Sequence, residues 1–184
     1  MFGVEGYLPD AVQEEGADHI VPAESMDIRL MSIGFFIKPT DALLWRGAMA
    51  VSALKQMIHQ TRWGTLDFLL ADLPPGTGDI QLTIVQTAEL DGVVVVTTPQ
   101  EVALIDARKA IGLFERVETP ILGVIENMSY FQCPSDGKIY HIFGEGGGER
   151  EAAKLGVPLL GKIPLDIATR SGGDEGRPVA LEDP

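Results

Sequence analysis

The sequence predicts an α/β fold, a doubly wound and mostly parallel sheet. Residues 68–71 (Phe-Leu-Leu-Ala) and 92–97, with four valines in a row, are short apolar runs without a polar break. That pattern suits strands covered on both faces by helices. Residues 101–117 follow such a run and place Val102, Ile105, Ile111, Phe114 and Val117 at i, i+3 and i+4 steps, a helix face. Strand and helix patterns then alternate as far as residue 163, as expected of βαβ units.

Each element follows from its residues. Residues 1–25 are acidic, hold Gly3, Gly6, Pro9, Gly16 and Pro22, and read as loop. Residues 26–36 alternate partly, with Ile28 and Leu30 on one side and Met31, Ile33 and Phe35 on the other. They read as a strand with Gly34 at a bulge. Thr40 or Asp41 is placed to cap a helix over 46–61, where Met49, Ala53, Met57 and Gln60 share a face. The strand 68–71 comes next, and Asp79 is placed as N-cap of a helix over 80–88. After the valine strand and the helix 101–117, Ile121–Glu126 reads as a strand, Gly147–Leu155 as a short helix and 159–163 as the last strand. The tail is rich in Gly, Pro and acid. No repeat, linker or low-complexity tract interrupts the chain, so residues 1–184 are expected to form a single domain.

Composition narrows the function. The chain is 45% hydrophobic and 22% charged, a globular balance. Its formal net charge of −13 argues against nucleic acid and against an anionic membrane surface as partners. Cys133 is the one cysteine, so no internal disulfide forms. No apolar run reaches the roughly 18 residues of a membrane span. Residues 1–5 lack the basic and apolar regions of a signal peptide, and the cytoplasm is the expected compartment.

The chemistry is concentrated in residues 67–79, Asp-Phe-Leu-Leu-Ala-Asp-Leu-Pro-Pro-Gly-Thr-Gly-Asp. An apolar strand ends on Asp72, and Pro74-Pro75-Gly76-Thr77-Gly78 continues neither strand nor helix. This is the layout of a Walker B and switch segment, whose Asp holds Mg²⁺ through water while a loop glycine offers its N–H to the terminal phosphate. A strand followed by an Asp-capped turn would account for a shorter run, but the whole run from Asp72 to Asp79 is more specific.

That run resembles the signature of the Mrp (ApbC-type) ATPases, relatives of the cell-division ATPase MinD and of the nitrogenase iron protein. Met31-Ser32-Ile33-Gly34-Phe35, Trp45-Arg46-Gly47, Thr98-Pro99-Gln100-Glu101-Val102-Ala103-Leu104, Glu126-Asn127-Met128-Ser129-Tyr130-Phe131 and His141-Ile142-Phe143-Gly144 agree with it. The resemblance runs through nearly the whole chain. It implies a P-loop NTPase fold, ATP and Mg²⁺ as cofactors, a homodimer, and transfer of iron–sulfur clusters to apoproteins. It also implies catalytic roles for Asp72, as the Mg²⁺ residue, and Gly76.

The phosphate loop itself, G-x-x-x-x-G-K-[ST], does not occur in these 184 residues. Gly144-Glu145-Gly146-Gly147-Gly148 has no Lys-Ser/Thr pair, Gly161-Lys162 is followed by Ile163, and Gln81 stands where a Rossmann fingerprint needs its third glycine. In the family the loop precedes the position aligned with Met1, so the N-terminal part of the domain is expected to be missing. Asp72 and Gly76 alone are not expected to hydrolyse ATP, because the loop's lysine and N–H groups carry much of the transition-state stabilisation.

Three further positions carry weight through the resemblance. Asn127 would contact the adenine ring through its amide; holding a loop by a side-chain turn is the other reading. Pro164 and Asp166, with Leu165, would line the base pocket, mostly through backbone. Cys133 lies in a loop where many family members have Cys-x-x-Cys, one pair per subunit around a bridging cluster. Here Asp136 replaces the second cysteine. A dimer then supplies two thiolates where a cluster usually takes four ligands, leaving Asp136 or His141 to complete the set. An ordinary loop thiol is the alternative. Arg46 at a helix start opposes the macrodipole, and both a nucleotide contact and a surface ion pair suit it. Two other functions stay open, a MinD/ParA-like positioning ATPase and a non-hydrolysing scaffold that binds protein or metal.

Overall fold

The structure, a computed structural model, describes residues 1–14, 16–36 and 47–181. The cap at Thr40 or Asp41 and the roles weighed for Trp45 and Arg46 fall outside them. Two compact units are present. The first comprises Met1–Pro74, Asp79–Ala88 and Ser171–Pro184; the second comprises Pro75–Gly78 and Glu89–Arg170.

The first unit opens with two antiparallel hairpins, β1 (Ala11–Glu14) with β2 (Ala17–Ile20), and β3 (Ala23–Ser25) with β4 (Ile28–Leu30). Residues 1–25 are therefore not mere loop, which corrects the sequence reading. The turn of the second hairpin is Met26-Asp27, both at positive φ (55° and 58°), the type I′ geometry that matches strand twist. The strand expected over 26–36 shrinks to β4, and Ile33–Phe36 is a 3₁₀ turn. Ser32 Oγ accepts the Gly34 N–H at 3.1 Å, a local bond that competes with an extended ladder. Helix α1 (Gly47–His59) packs against α2 (Asp79–Thr87), close to the expected spans.

The run 68–71 is not a strand. Phe68 is 84% and Leu70 90% exposed, where burial on both faces was expected. A parallel strand exists only through the backbone groups of its neighbours, and no described strand pairs with these residues.

The second unit is built on a parallel sheet of β5 (Val93–Thr97), β6 (Ile121–Glu126) and β9 (Leu159–Lys162), in the order β5-β6-β9. Helices α3 (Glu101–Arg116) and α4 (Gly147–Leu155) connect these strands, while β7 (Phe131–Gln132) and β8 (Ile139–Tyr140) form a small antiparallel hairpin between them. Val95 and Val124 from the sheet, Ile111 from α3 and Ala152 from α4 form the core. Both helices thus cover one face of the sheet. On the other face Val94, Val96, Leu122 and Leu160 are exposed, so the valine strand is covered on one side rather than two. The helix face also differs from expectation. Leu104, Ile111 and Phe114 are buried, with Ala107 against the core, whereas Val102 and Ile105 face solvent. The tail contains an unanticipated helix, α5 (Ile167–Glu175), and a 3₁₀ turn at Val179–Leu181.

Candidate functional site

The second unit gathers most of the candidate residues at the carboxyl ends of its strands, where open α/β sheets bind ligands. Asn127 follows β6 directly, and its backbone N–H donates to the Thr97 carbonyl at 2.7 Å. Its side-chain Oδ1 accepts the Met128 N–H at 2.9 Å. No hydrogen bond of its Nδ2 is seen among the described residues, so the amide has a donor to offer. The side-chain turn and a ligand-facing donor, posed above as alternatives, coexist in one residue.

Beyond β9, the Leu165 N–H donates to the Tyr130 carbonyl at 2.7 Å, and Pro164 has no N–H. This backbone therefore has only carbonyls to present to a ligand. Asp166 caps α5: its Oδ2 accepts the Thr169 N–H at 2.7 Å and the Thr169 hydroxyl at 2.9 Å. The Thr169 backbone bond, with that of its hydroxyl, holds the Asp166 carboxyl below the usual aspartate range. The Asp-x-x-Thr spacing was the sequence signal for this cap.

Cys133 is half-buried in the connection between β7 and β8. Its N–H donates to the Lys138 carbonyl at 2.8 Å, and its carbonyl accepts the Gly137 N–H at 2.9 Å. Gly137 adopts φ +70°, which closes the loop at little steric cost. The thiol lies 3.1 Å from Ser135 Oγ, and the bond to Ser135 pushes its pKa down. Asp136 is drawn to Lys138, whose N–H it accepts at 3.1 Å and whose Nζ is at 3.2 Å. His141 turns toward the Ser129 carbonyl (3.4 Å) and Glu145 (3.7 Å). Among the described residues no three His, Cys, Asp or Glu side chains form a group able to hold a metal ion. Asp136 and His141 thus do not complete a ligand set around Cys133 within this chain.

One open cavity of about 320 Å³ joins two of these features: Cys133 and Pro134 line one side, Pro164 and Asp166 another, with Tyr130 between. Asn127 is not in its lining. Asp72 is exposed and belongs to the first unit, whereas Gly76, at φ +101° with open space around it, belongs to the second. The residue that sequence reasoning passed over is Glu126, fully buried at the end of β6. A carboxyl directly before Asn127, with a Gly-Gly helix start downstream, was its only trace in the sequence.

The chain matches the family described as ParA, NUBPL iron-transfer P-loop NTPase, over residues 1–184. It is 45% identical over 185 aligned positions to an iron–sulfur cluster carrier protein of Aquifex aeolicus, covering 100% of this chain and 50% of that protein. It is 44% identical to an iron–sulfur cluster transfer protein NUBPL of Dictyostelium discoideum, covering 91% of this chain and 52% of that one. Among solved structures it resembles a nucleotide-binding protein from Archaeoglobus fulgidus in complex with ADP. The TM-score is 0.75 at 34% identity, over 95% of this chain and 67% of that one. The chain spans about half the length of the curated relatives it matches. With the match running from the first residue to the last and the fold shared with a nucleotide-binding protein, the chain belongs to the NUBPL iron-transfer P-loop NTPases of the ParA group.

Proposed function

We propose that this chain serves ATP-dependent binding of iron–sulfur clusters and their transfer to apoproteins, as part of a cytoplasmic homodimer. The observation that carries this reading is the family match along all 184 residues, among relatives named as cluster carriers. Both compact units are read as parts of one P-loop NTPase domain. Each unit is read by itself for residues that would meet a nucleotide. Asn127 offers its Nδ2 to an adenine base, and Pro164 and Asp166 are read as further base-pocket residues. Gly76, exposed in the second unit, is read as the glycine whose N–H would meet a terminal phosphate, and Asp72, exposed in the first unit, as the residue for a water-held Mg²⁺. A bound nucleotide would supply a phosphoryl group for hydrolysis, which these residues alone are not expected to carry out. The cluster itself is cargo, and Cys133 is the ligand this chain brings to it. Its lowered thiol pKa supports this, because the thiolate is the metal-binding form.

Anaerobic reconstitution of the chain with iron and sulfide tests the reading. The expected result is a visible-absorbing cluster on a dimer, lost in Cys133→Ser. Equal iron and sulfide in the variant would reduce Cys133 to a loop thiol and remove the carrier reading's candidate ligand. The scaffold alternative is favoured by one observation, the lack of a Gly-Lys-Ser/Thr element in these residues. On either reading no steady-state phosphate release is expected from this chain; turnover abolished by Asp72→Ala would show that another segment provides the phosphate cradle.

A further inference from the structure

Glu126 is 0% exposed, and its carboxyl is held from two directions. The Ser129 hydroxyl donates to Oε1 at 2.5 Å, and the Gly148 N–H, in the first turn of α4, donates to Oε2 at 2.6 Å. A buried carboxyl is tolerated only with such partners, and the helix N-terminus favours it further. The glycine-rich stretch before α4 is what allows the approach. A Cβ on Gly148 would lie 2.9 Å from Glu126 Cβ, and one on Gly147 would collide with the Pro99 carbonyl. Gly147 and Gly148, part of the stretch that fails as a phosphate loop, let the helix start come close enough to bind an internal carboxyl.

The two ends of the clamp bracket the base-contact residue. Glu126 precedes Asn127 and Ser129 follows it by two, so the Ser129 to Glu126 bond closes a turn over Asn127 and Met128. Met128 sits at φ +54°, a conformation a methionine adopts only when its surroundings impose it. The frame is continued by backbone bonds. The Ile163 N–H donates to the Glu126 carbonyl and the Ser129 N–H to the Ile163 carbonyl, each at 2.9 Å.

We propose that Glu126 is the positioning residue of this turn: through Ser129 and the Gly148 N–H it fixes the direction in which Asn127 presents its amide to a nucleotide base. The proposal rests on the reading of Asn127 as the base contact. Geometry, rather than charge, is what it requires. Glu126→Gln reaches the same atoms, its carbonyl accepting the Gly148 N–H and its amide donating to Ser129 Oγ. Glu126→Asp is one methylene too short to meet both, and Ser129→Ala removes one bond while leaving Glu126 in place.

The experiment compares the wild-type chain with these three variants, each shown to be folded by thermal unfolding. It has two readouts: the Asn127 side-chain amide signals in ¹H–¹⁵N NMR, and binding of ADP against GDP by calorimetry. Glu126→Asp and Ser129→Ala should shift the Asn127 signals and weaken ADP binding about tenfold, with loss of the preference over GDP. Glu126→Gln should keep wild-type signals and preference. Asn127 signals unmoved in Glu126→Asp and Ser129→Ala, or moved as far in Glu126→Gln, would overturn the proposal. A wild-type chain with no preference for ADP would instead sink the base-contact reading, and the NMR comparison would still decide the positioning role. A variant that fails to fold leaves the decision to the other two.

Discussion

Cys133 owes its character to a neighbour two residues away. The bond to Ser135 favours the thiolate, so the thiol ionises at lower pH than an ordinary cysteine. Alkylation rates measured against pH should therefore rise earlier than for a free cysteine, and Ser135→Ala should move the midpoint up. A profile unchanged in that variant would mean that the hydroxyl does not govern the thiol. A second residue-scale device lies between α3 and α4. Arg108 Nε and Nη2 donate to the two oxygens of buried Glu151 at 2.9 and 2.8 Å, while Nη1 reaches Glu101 at 2.6 Å. The hydrogen bond from Arg108 holds the Glu151 carboxyl below the usual glutamate range. Its folded pKa is depressed, so its contribution is present above the ordinary glutamate pKa and is lost as pH falls through the folded value. Arg108→Ala should lower the urea midpoint near neutral pH, and by less once Glu151 is protonated. An equal cost at both pH values would separate the loss from the ion pair.

At the scale of elements, helix ends decide more than helix interiors. Helix α5 begins at Asp166, whose carboxyl satisfies an N–H that the helix itself leaves unpaired. Asp166→Ala should destabilise the chain, read as a lowered urea midpoint at constant slope. A neutral result would show that the cap is replaced by water and that Asp166 is free for a ligand. The hairpin of β7 and β8 is the other telling element. Its root is tied by the Leu165 to Tyr130 bond and by the parallel bridge between Phe131 and Leu165. These contacts bring the Cys133 loop and the segment after β9 to the same cavity, although 30 or so positions separate them in the chain.

At the scale of the whole molecule, the second unit's sheet is half covered. Val96 is 59% exposed, and β5 pairs with β6 alone among the described strands. Parallel sheets ordinarily have both faces covered, and an apolar face beside an open edge invites association. The chain in solution should therefore run larger than a monomer in light scattering and bind a hydrophobic dye. Val96→Lys should reduce both signals. A sharp, reversible unfolding transition of a dye-negative monomer would contradict this expectation. No helix among the described residues is long and apolar enough to cross a membrane, so this face is not part of a spanning helix.

The sequence by itself determined the α/β class, α4 as read, α1 and α3 to within two residues at either end, the strand at 121–126, those read at 92–97 and 159–163 to within one residue, and the exposed turn around Cys133. These are legible because their causes are local. A helix closes its hydrogen bonds within itself, and alternation of strand and helix follows from residue period. The motifs were legible for the same reason, since Asp72 to Asp79 and Glu126 to Phe131 are contiguous. Tertiary structure decided what depends on distant partners. Residues 68–71 read as a strand and are none, because a strand needs a neighbour to bond with. The face of α3 turned from Val102 and Ile105 to Leu104 and Ala107, because the sheet chose which stripe it would cover. Asp136 and His141 were weighed as completing a set around Cys133; Asp136 bonds Lys138 while its side chain also meets the Cys133 thiol, and His141 turns to Ser129 and Glu145. Glu126 was invisible as a site residue because its partners, Ser129 and Gly148, are set by a turn and by a helix arriving from elsewhere. Local periodicity is written in the chain, whereas satisfaction of a buried polar group is settled only when distant segments meet.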